Sequence, residues 1–116
     1  MTRARQRLGV SGEDQAASWY TSQGYQVVDR NWRCREGEID LVCVRGRTLV
    51  FCEVKTWTSS AFGHPAEAVT ASKQRRLRLL ATRWLDAADE PVRGRDIRFD
   101  VAAILAGHLD VIEAAF

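Results

Sequence analysis

Three residues in one short stretch carry the chemistry of this chain. Asp40, then twelve residues, then Glu53 and Lys55 fall within EGEIDLVCVRGRTLVFCEVKTW, residues 36–57. Two carboxylates and a lysine are the side chains needed to hold a hard divalent cation beside an anionic substrate. Residues 39–44 and 48–54 are short, β-branched apolar runs, so they predict two strands. A loop of Gly46-Arg47 between them suits a type II′ hairpin, with glycine first. In that register Arg45 faces Thr48, Val44 faces Leu49, Asp40 faces Glu53 and Glu38 faces Lys55. Opposed residues share a sheet face with Cβ atoms roughly 4.5–5.5 Å apart. A loop of Arg45-Gly46 shifts the register by two and sets Glu38 against Glu53, so a carboxylate pair results either way.

Like charges directly opposed destabilise a sheet. These interrupt strands that are apolar on both faces: Ile39, Leu41 and Cys43 on one, Val42 and Val44 on the other. Such strands are usually central and buried. An unpaired carboxylate there costs several kcal/mol or takes up a proton. A divalent cation removes the conflict, and an all-oxygen ligand set selects Mg²⁺ or Mn²⁺ over zinc. Two plainer arrangements compete with this one. The hairpin is a solvated edge of mixed charge, or Asp40 is bridged diagonally to Lys55 with no metal.

The remaining elements must position that hairpin. Residues 1–10, with Arg3, Arg5 and Arg7, predict a basic arm that frays or adds phosphate contacts. Ser11, with Asp14 three residues on, predicts a helix start, and Gly24 predicts its end. Glu13, Ala16, Ala17 and Tyr20 form one stripe, so Glu13 lies at the packed start of this helix. Residues 25–34 predict a strand on which Arg33 serves a solvated edge or a basic groove. Residues 57–65 predict a loop overhanging Lys55, where Trp57 and Phe62 stack on bases or anchor the loop. His64 in that loop is read as a surface residue. A long helix over 66–88 carries the apolar stripe Val69, Leu77, Leu80, Ala81, Trp84 and Ala88. Lys73 falls in the stripe, with Arg75 and Arg76 on other faces as a solvated surface or a phosphate contact. Residues 97–105 and 108–112 predict two final strands, and Arg98 and Asp100 share a face as a structural ion pair. The order is α-β-β-β-α-β-β, an α/β chain with a central sheet of about five strands flanked by helices.

Composition sets the class. At 116 residues with 46% apolar content, the chain suits one folded domain, residues 11–116 following the arm. A net charge of +2 does not by itself announce nucleic acid. Three cysteines form no CxxC pair, which argues against structural zinc. No apolar run reaches the ~20 residues of a membrane span, and residues 1–11 lack a signal-peptide core, so the cytoplasm is the expected compartment.

Asp40 followed by Glu53-Val54-Lys55 resembles the D…ExK signature of the PD-(D/E)xK nuclease superfamily. The text around it is more specific. Gly12-Glu13, Gly24-Tyr25, Asn31-Trp32-Arg33, Gly37-Glu38-Ile39-Asp40-Leu41, Phe51-Cys52-Glu53-Val54-Lys55-Thr56, Phe62-Gly63, Lys73 and Arg98-Phe99-Asp100-Val101 follow one another as in the YraN-like family. Those are small bacterial proteins similar to archaeal Holliday-junction resolvases. The resemblance covers residues 8–116. It implies a restriction-endonuclease-like core and metal-dependent hydrolysis of phosphodiester bonds in DNA, including branched DNA. Asp40 and Glu53 would hold Mg²⁺ or Mn²⁺ with the Val54 carbonyl, Lys55 would act on the phosphate, and Glu13 would complete the site. Lys73, Arg75, Arg76, Trp57 and Arg33 would meet the nucleic acid. A branched substrate would favour a homodimer with two sites. The rival function is a nucleic-acid-binding module with the same fold and little catalysis. A third is a protein-interaction partner that uses the sheet edge.

Overall fold

The computed structural model describes residues 2–57, 69–88 and 95–116, with side chains from Gly12 onward. Its elements are α1 (Thr2–Ser22), β1 (Gln26–Cys34), β2 (Gly37–Arg45), β3 (Thr48–Trp57), α2 (Ala71–Ala87), β4 (Asp96–Leu105) and β5 (His108–Ile112). The predicted order α-β-β-β-α-β-β is the order found. The strands form one mixed sheet in the order β1-β2-β3-β4-β5. Only β3 and β4 run parallel, and α2 makes the crossover between them. Parallel neighbours require such a crossover, whereas hairpins suffice elsewhere. The α/β architecture agrees with the restriction-endonuclease-like core expected.

Two cores result, one on each sheet face. Ala16 and Tyr20 of α1 pack with Leu41, Cys43, Val50, Cys52 and Ala102. On the opposite face Leu77, Leu80, Ala81 and Trp84 of α2 cover Ile39, Val42, Leu49, Phe51, Phe99 and Val101. Burial of β3 is complete from Leu49 to Cys52, as expected for a strand covered on both sides.

Both helices differ from expectation at their starts. The first opens at Thr2, so residues 2–10 are helical and Ser11 is interior, leaving no capping box there. Its end follows the expectation. Gly24 has φ +89°, its N–H bonds the Thr21 carbonyl, and the Tyr25 N–H bonds the Tyr20 carbonyl. That pair of bonds is a Schellman cap. The second helix begins at Ala71, because the Thr70 hydroxyl accepts from the Lys73 N–H and caps it there. Residues 58–68, with Phe62, His64 and the helix start expected at Ala66, lie outside the described residues. Among the described residues no helix is long and apolar enough to cross a membrane.

Asp100 is the one buried charged side chain among the described residues, and it ties the elements together. It is fully buried, yet every bond it needs is present. Arg98 donates to both its oxygens at 2.9 Å, Tyr20 Oη–H donates at 2.6 Å, and the Ala114 N–H donates at 3.0 Å. The ion pair expected between Arg98 and Asp100 is therefore structural. It joins α1 to β4 and to the C-terminal residues. Removing one donor leaves a buried carboxylate oxygen short of a partner. Tyr20→Phe should cost about 1–3 kcal/mol in chemical denaturation, with no loss of secondary structure by circular dichroism.

Candidate metal centre

The site forms where the central hairpin comes apart. Pairing of β2 with β3 runs from Arg45↔Thr48 and Val44↔Leu49 to Leu41↔Cys52, the register expected from a Gly46-Arg47 turn. Gly46 has φ +56°, the positive value required at the first position of a type II′ turn. Continued outward, that register would give the Val54 N–H to the Ile39 carbonyl. Instead the Val54 N–H donates to Asp40 Oδ2 at 2.8 Å. A carboxylate thus enters the ladder in place of a backbone acceptor.

This intrusion accompanies a phase change along β2. Ile39 and Val42 pack on the α2 face, whereas Leu41 and Cys43 pack on the α1 face. Simple alternation puts Ile39 with Leu41, and that expectation fails at Asp40. On the neighbouring strand Arg30 pairs with Leu41 and Trp32 with Ile39, which sets Asn31 opposite Asp40. Asn31 has φ +52°, a left-handed conformation that asparagine tolerates better than most residues. Both strands therefore turn over together at this row.

Three carboxylates from two elements, α1 and β2, converge there. Oxygens of Glu13, Glu38 and Asp40 lie within 4.8 Å of one another. Glu13 arrives from α1, which approaches β3 closely because residue 12 is glycine. A Cβ at Gly12 would stand 2.6 Å from Thr56 Oγ1. Glu53 adds a fourth negative charge next to Asp40. Burial, then the Glu53 charge, raise the Asp40 pKa to about 7, with Glu13 and Glu38 adding to it against the Val54 hydrogen bond.

The outer acids each have a cation. Arg30 Nη2 bonds Asp14 at 2.7 Å and lies 3.9 Å from Glu13. Arg33 bonds Glu38, and Lys55 Nζ lies 3.5 Å from Glu53. Among the described residues no cation forms an ion pair with Asp40.

On the α2 face a groove of about 190 Å³ is lined by Glu38, Glu53, Lys55, Lys73, Arg76 and the Leu77–Leu80 turn. Lys73 is exposed, so its place in the apolar stripe did not bury it. The neighbouring Lys55 amine holds the Lys73 pKa below its ordinary value. Asp40 and Glu13 thus share the acid cluster with Glu38, whereas Glu53, Lys55, Lys73 and Arg76 line the adjacent groove, with Glu38 common to both. Arg75 is exposed on α2 and does not line the groove. Trp57 ends β3, half-buried, paired with Leu105. Arg33 is engaged by Glu38 rather than presented to a groove. Glu38 was not singled out in the sequence as a ligand. Its pairing with Arg33 across β1–β2 is the register detail that brings it in.

The donor set fits a hard cation. Ligand oxygens around one ion at roughly 2.0–2.6 Å lie within roughly 4–5 Å of each other, as those of Glu13, Glu38 and Asp40 do. No histidine or cysteine belongs to the cluster, which disfavours zinc.

Comparison with known proteins identifies a family. The profile of Uncharacterised protein family UPF0102 matches residues 12–104. The chain belongs to this family. A UPF0102 protein of Beutenbergia cavernae is 53% identical over 103 residues, covering 89% of this chain and 86% of the relative. Another from Rhodococcus jostii is 54% identical over 101 residues, covering 87% and 84%. A third from Nocardia farcinica is 47% identical over 111 residues, covering 94% and 86%. The family is the YraN-like one that the sequence motifs resemble.

The Asp40 shift has a stability consequence. In the fold Asp40 keeps its proton to about pH 7, whereas in the unfolded chain it ionises near 3.9. Stability from this group is full below about pH 4 and is lost as pH rises through about 7. Between pH 5 and pH 8, metal-free wild type should therefore lose roughly 2–3 kcal/mol more than Asp40→Asn. Urea unfolding of both proteins in chelator at the two pH values measures this difference.

Proposed function

We propose that this protein is a metal-dependent endonuclease that hydrolyses phosphodiester bonds in DNA. The observation that carries this reading is the uncompensated carboxylate at the centre of the sheet. Asp40 is half-buried, is surrounded by Glu53, Glu13 and Glu38, and has a lysine two positions beyond Glu53 on the same strand face. Structural ion pairs do not require four acids around one gap, and Asp100 illustrates what a satisfied buried aspartate looks like.

Asp40, Glu13 and Glu38, whose oxygens lie together, would hold Mg²⁺ or Mn²⁺, with Glu53 and the Val54 carbonyl as further oxygen donors. When bound, such an ion supplies Lewis-acid polarisation of the phosphate and a more acidic water. Asp40 must lose its proton to serve, so its ionisation near neutral pH accompanies loading. Lys55 offers its ammonium to the charge that develops on the phosphate oxygens during attack. The water oxygen bonds to phosphorus, the bond to the departing sugar oxygen breaks, and that oxygen takes a proton. Gly12 keeps α1 close enough for Glu13 to take part. Resemblance to the resolvases supports DNA, branched forms included, as the substrate, and a two-fold dimer as the arrangement that acts on paired strands.

The test uses purified protein with branched, duplex and single-stranded DNA under Mg²⁺ or Mn²⁺. Wild type should cleave. Asp40→Asn and Lys55→Ala should each lose at least about a hundredfold, the scale of one lost transition-state charge partner. Salt-sensitive DNA binding that Asp40→Asn leaves intact, without cleavage, would instead identify a binding module. Cation loading has its own readout. Mn²⁺ should raise the melting temperature of wild type at pH 8 and have little effect at pH 5 or on Asp40→Asn. An equal rise under all three conditions would sink the metal site.

A further inference from the structure

We infer that Lys55, Lys73 and Arg76 form a pocket for a single phosphate group, seated beside the metal-binding carboxylates on the α2 face. The inference rests on the nuclease reading for its biological meaning, but its geometry stands apart from the acids. The crossover helix α2 lies against the start of β2, and residue 37 is the contact point. Gly37 has φ +149°, and a Cβ there would meet Leu80 Cδ1 at 3.5 Å and Arg76 Cδ at 3.7 Å. The stem of Arg76 therefore runs along the Gly37 backbone and carries its guanidinium to the groove. Lys73 lies one turn earlier on the same helix side, and Lys55 comes up from β3.

Three features suit a phosphate rather than a carboxylate side chain of the protein itself. First, the groove gathers three cations against Glu38 and Glu53. Among the described residues neither Lys73 nor Arg76 forms an ion pair, so both keep their charge for a ligand. Second, Lys73 from α2 and Lys55 from β3 enter the same groove, and the charge of Lys55 acts on Lys73. Two ammonium groups so placed repel unless an anion lies between them, and a tetrahedral anion can accept from both. Arg76 adds a planar fork suited to two phosphate oxygens. Third, the space of about 190 Å³ is far above the roughly 10–15 Å³ that one water requires. Leu77 and Leu80 close one side, which lowers the local dielectric and strengthens each charged contact.

The phosphate comes from one of two sources, a backbone diester next to the bond being cut or a terminal monoester. Titration calorimetry in chelator, with inorganic phosphate and with 5′-phosphorylated and unphosphorylated dinucleotides, tests the pocket without the metal. Wild type should bind phosphate. Lys73→Gln and Arg76→Gln should each weaken binding roughly tenfold, the value of a charge-assisted hydrogen bond. Arg75→Gln removes the same charge from the same helix outside the groove and should change binding less than about twofold. Tighter binding of the 5′-phosphorylated dinucleotide assigns the pocket to a terminal monoester, and equal binding assigns it to a diester. Wild type that takes up no phosphate at millimolar concentration overturns the proposal. So does weakening by Arg75→Gln as large as by Lys73→Gln, because long-range charge alone then accounts for it. Protein that cleaves no DNA but binds phosphate in this pattern fails the nuclease reading and keeps this one.

Discussion

A carboxylate stands where the central hairpin requires a backbone acceptor. Asp40 takes the Val54 N–H, so the two central strands stay joined at a point where their own ladder has ended. An orphaned buried N–H would cost roughly 1–3 kcal/mol, so Asp40 has a structural task. The same position places its charge among Glu53, Glu13 and Glu38. One hydrogen bond favours the ionised form, while burial and three like charges oppose it. The result is a carboxylate poised near neutral pH, held in place by the sheet and unable to leave.

Comparison of Asp40 with Asp100 separates structure from chemistry within one chain. Asp100 is the more deeply buried, yet Arg98, Tyr20 and the Ala114 N–H satisfy it completely. Its charge is locked into the join between α1 and β4. Asp40 has one donor and no ion pair among the described residues. A fold able to supply a bidentate arginine to one aspartate leaves the other without any. The difference is what makes Asp40, rather than Asp100, the centre of the proposed metal site.

Much of this was legible in the residues, and the rest failed for identifiable reasons. Gly46 set the turn and therefore the register, because few residues accept a positive φ at the first position of that loop. Gly24 marked the end of α1 for the same reason. Ile39 was assigned to the wrong face because period-2 alternation assumes an unbroken pleat, and the row of Asn31 and Asp40 breaks it. The start of α2 was set too early because Pro65 is compatible with a helix start, whereas Thr70 is the residue that caps it. Glu38 was passed over because its neighbours in sequence say nothing of α1. Only the close approach at Gly12 brings Glu13 to it.

The cations around the site favour exchange over permanent pairing. Arg33 on Glu38, Arg30 on Asp14 and Glu13, and Lys55 on Glu53 are surface or half-exposed pairs. Pairs of that kind contribute about 0–1 kcal/mol each, so releasing them costs little. They keep the outer acids from repelling one another in the absence of a metal. A divalent cation would replace them all at once, and in doing so would also displace the proton from Asp40. The outer acids are thus held loosely and the central one is held firmly but unpaired. Under the proposed metal binding, that asymmetry would let an ion be captured reversibly, with the unpaired centre as the driving force and a weakly paired rim released at little cost.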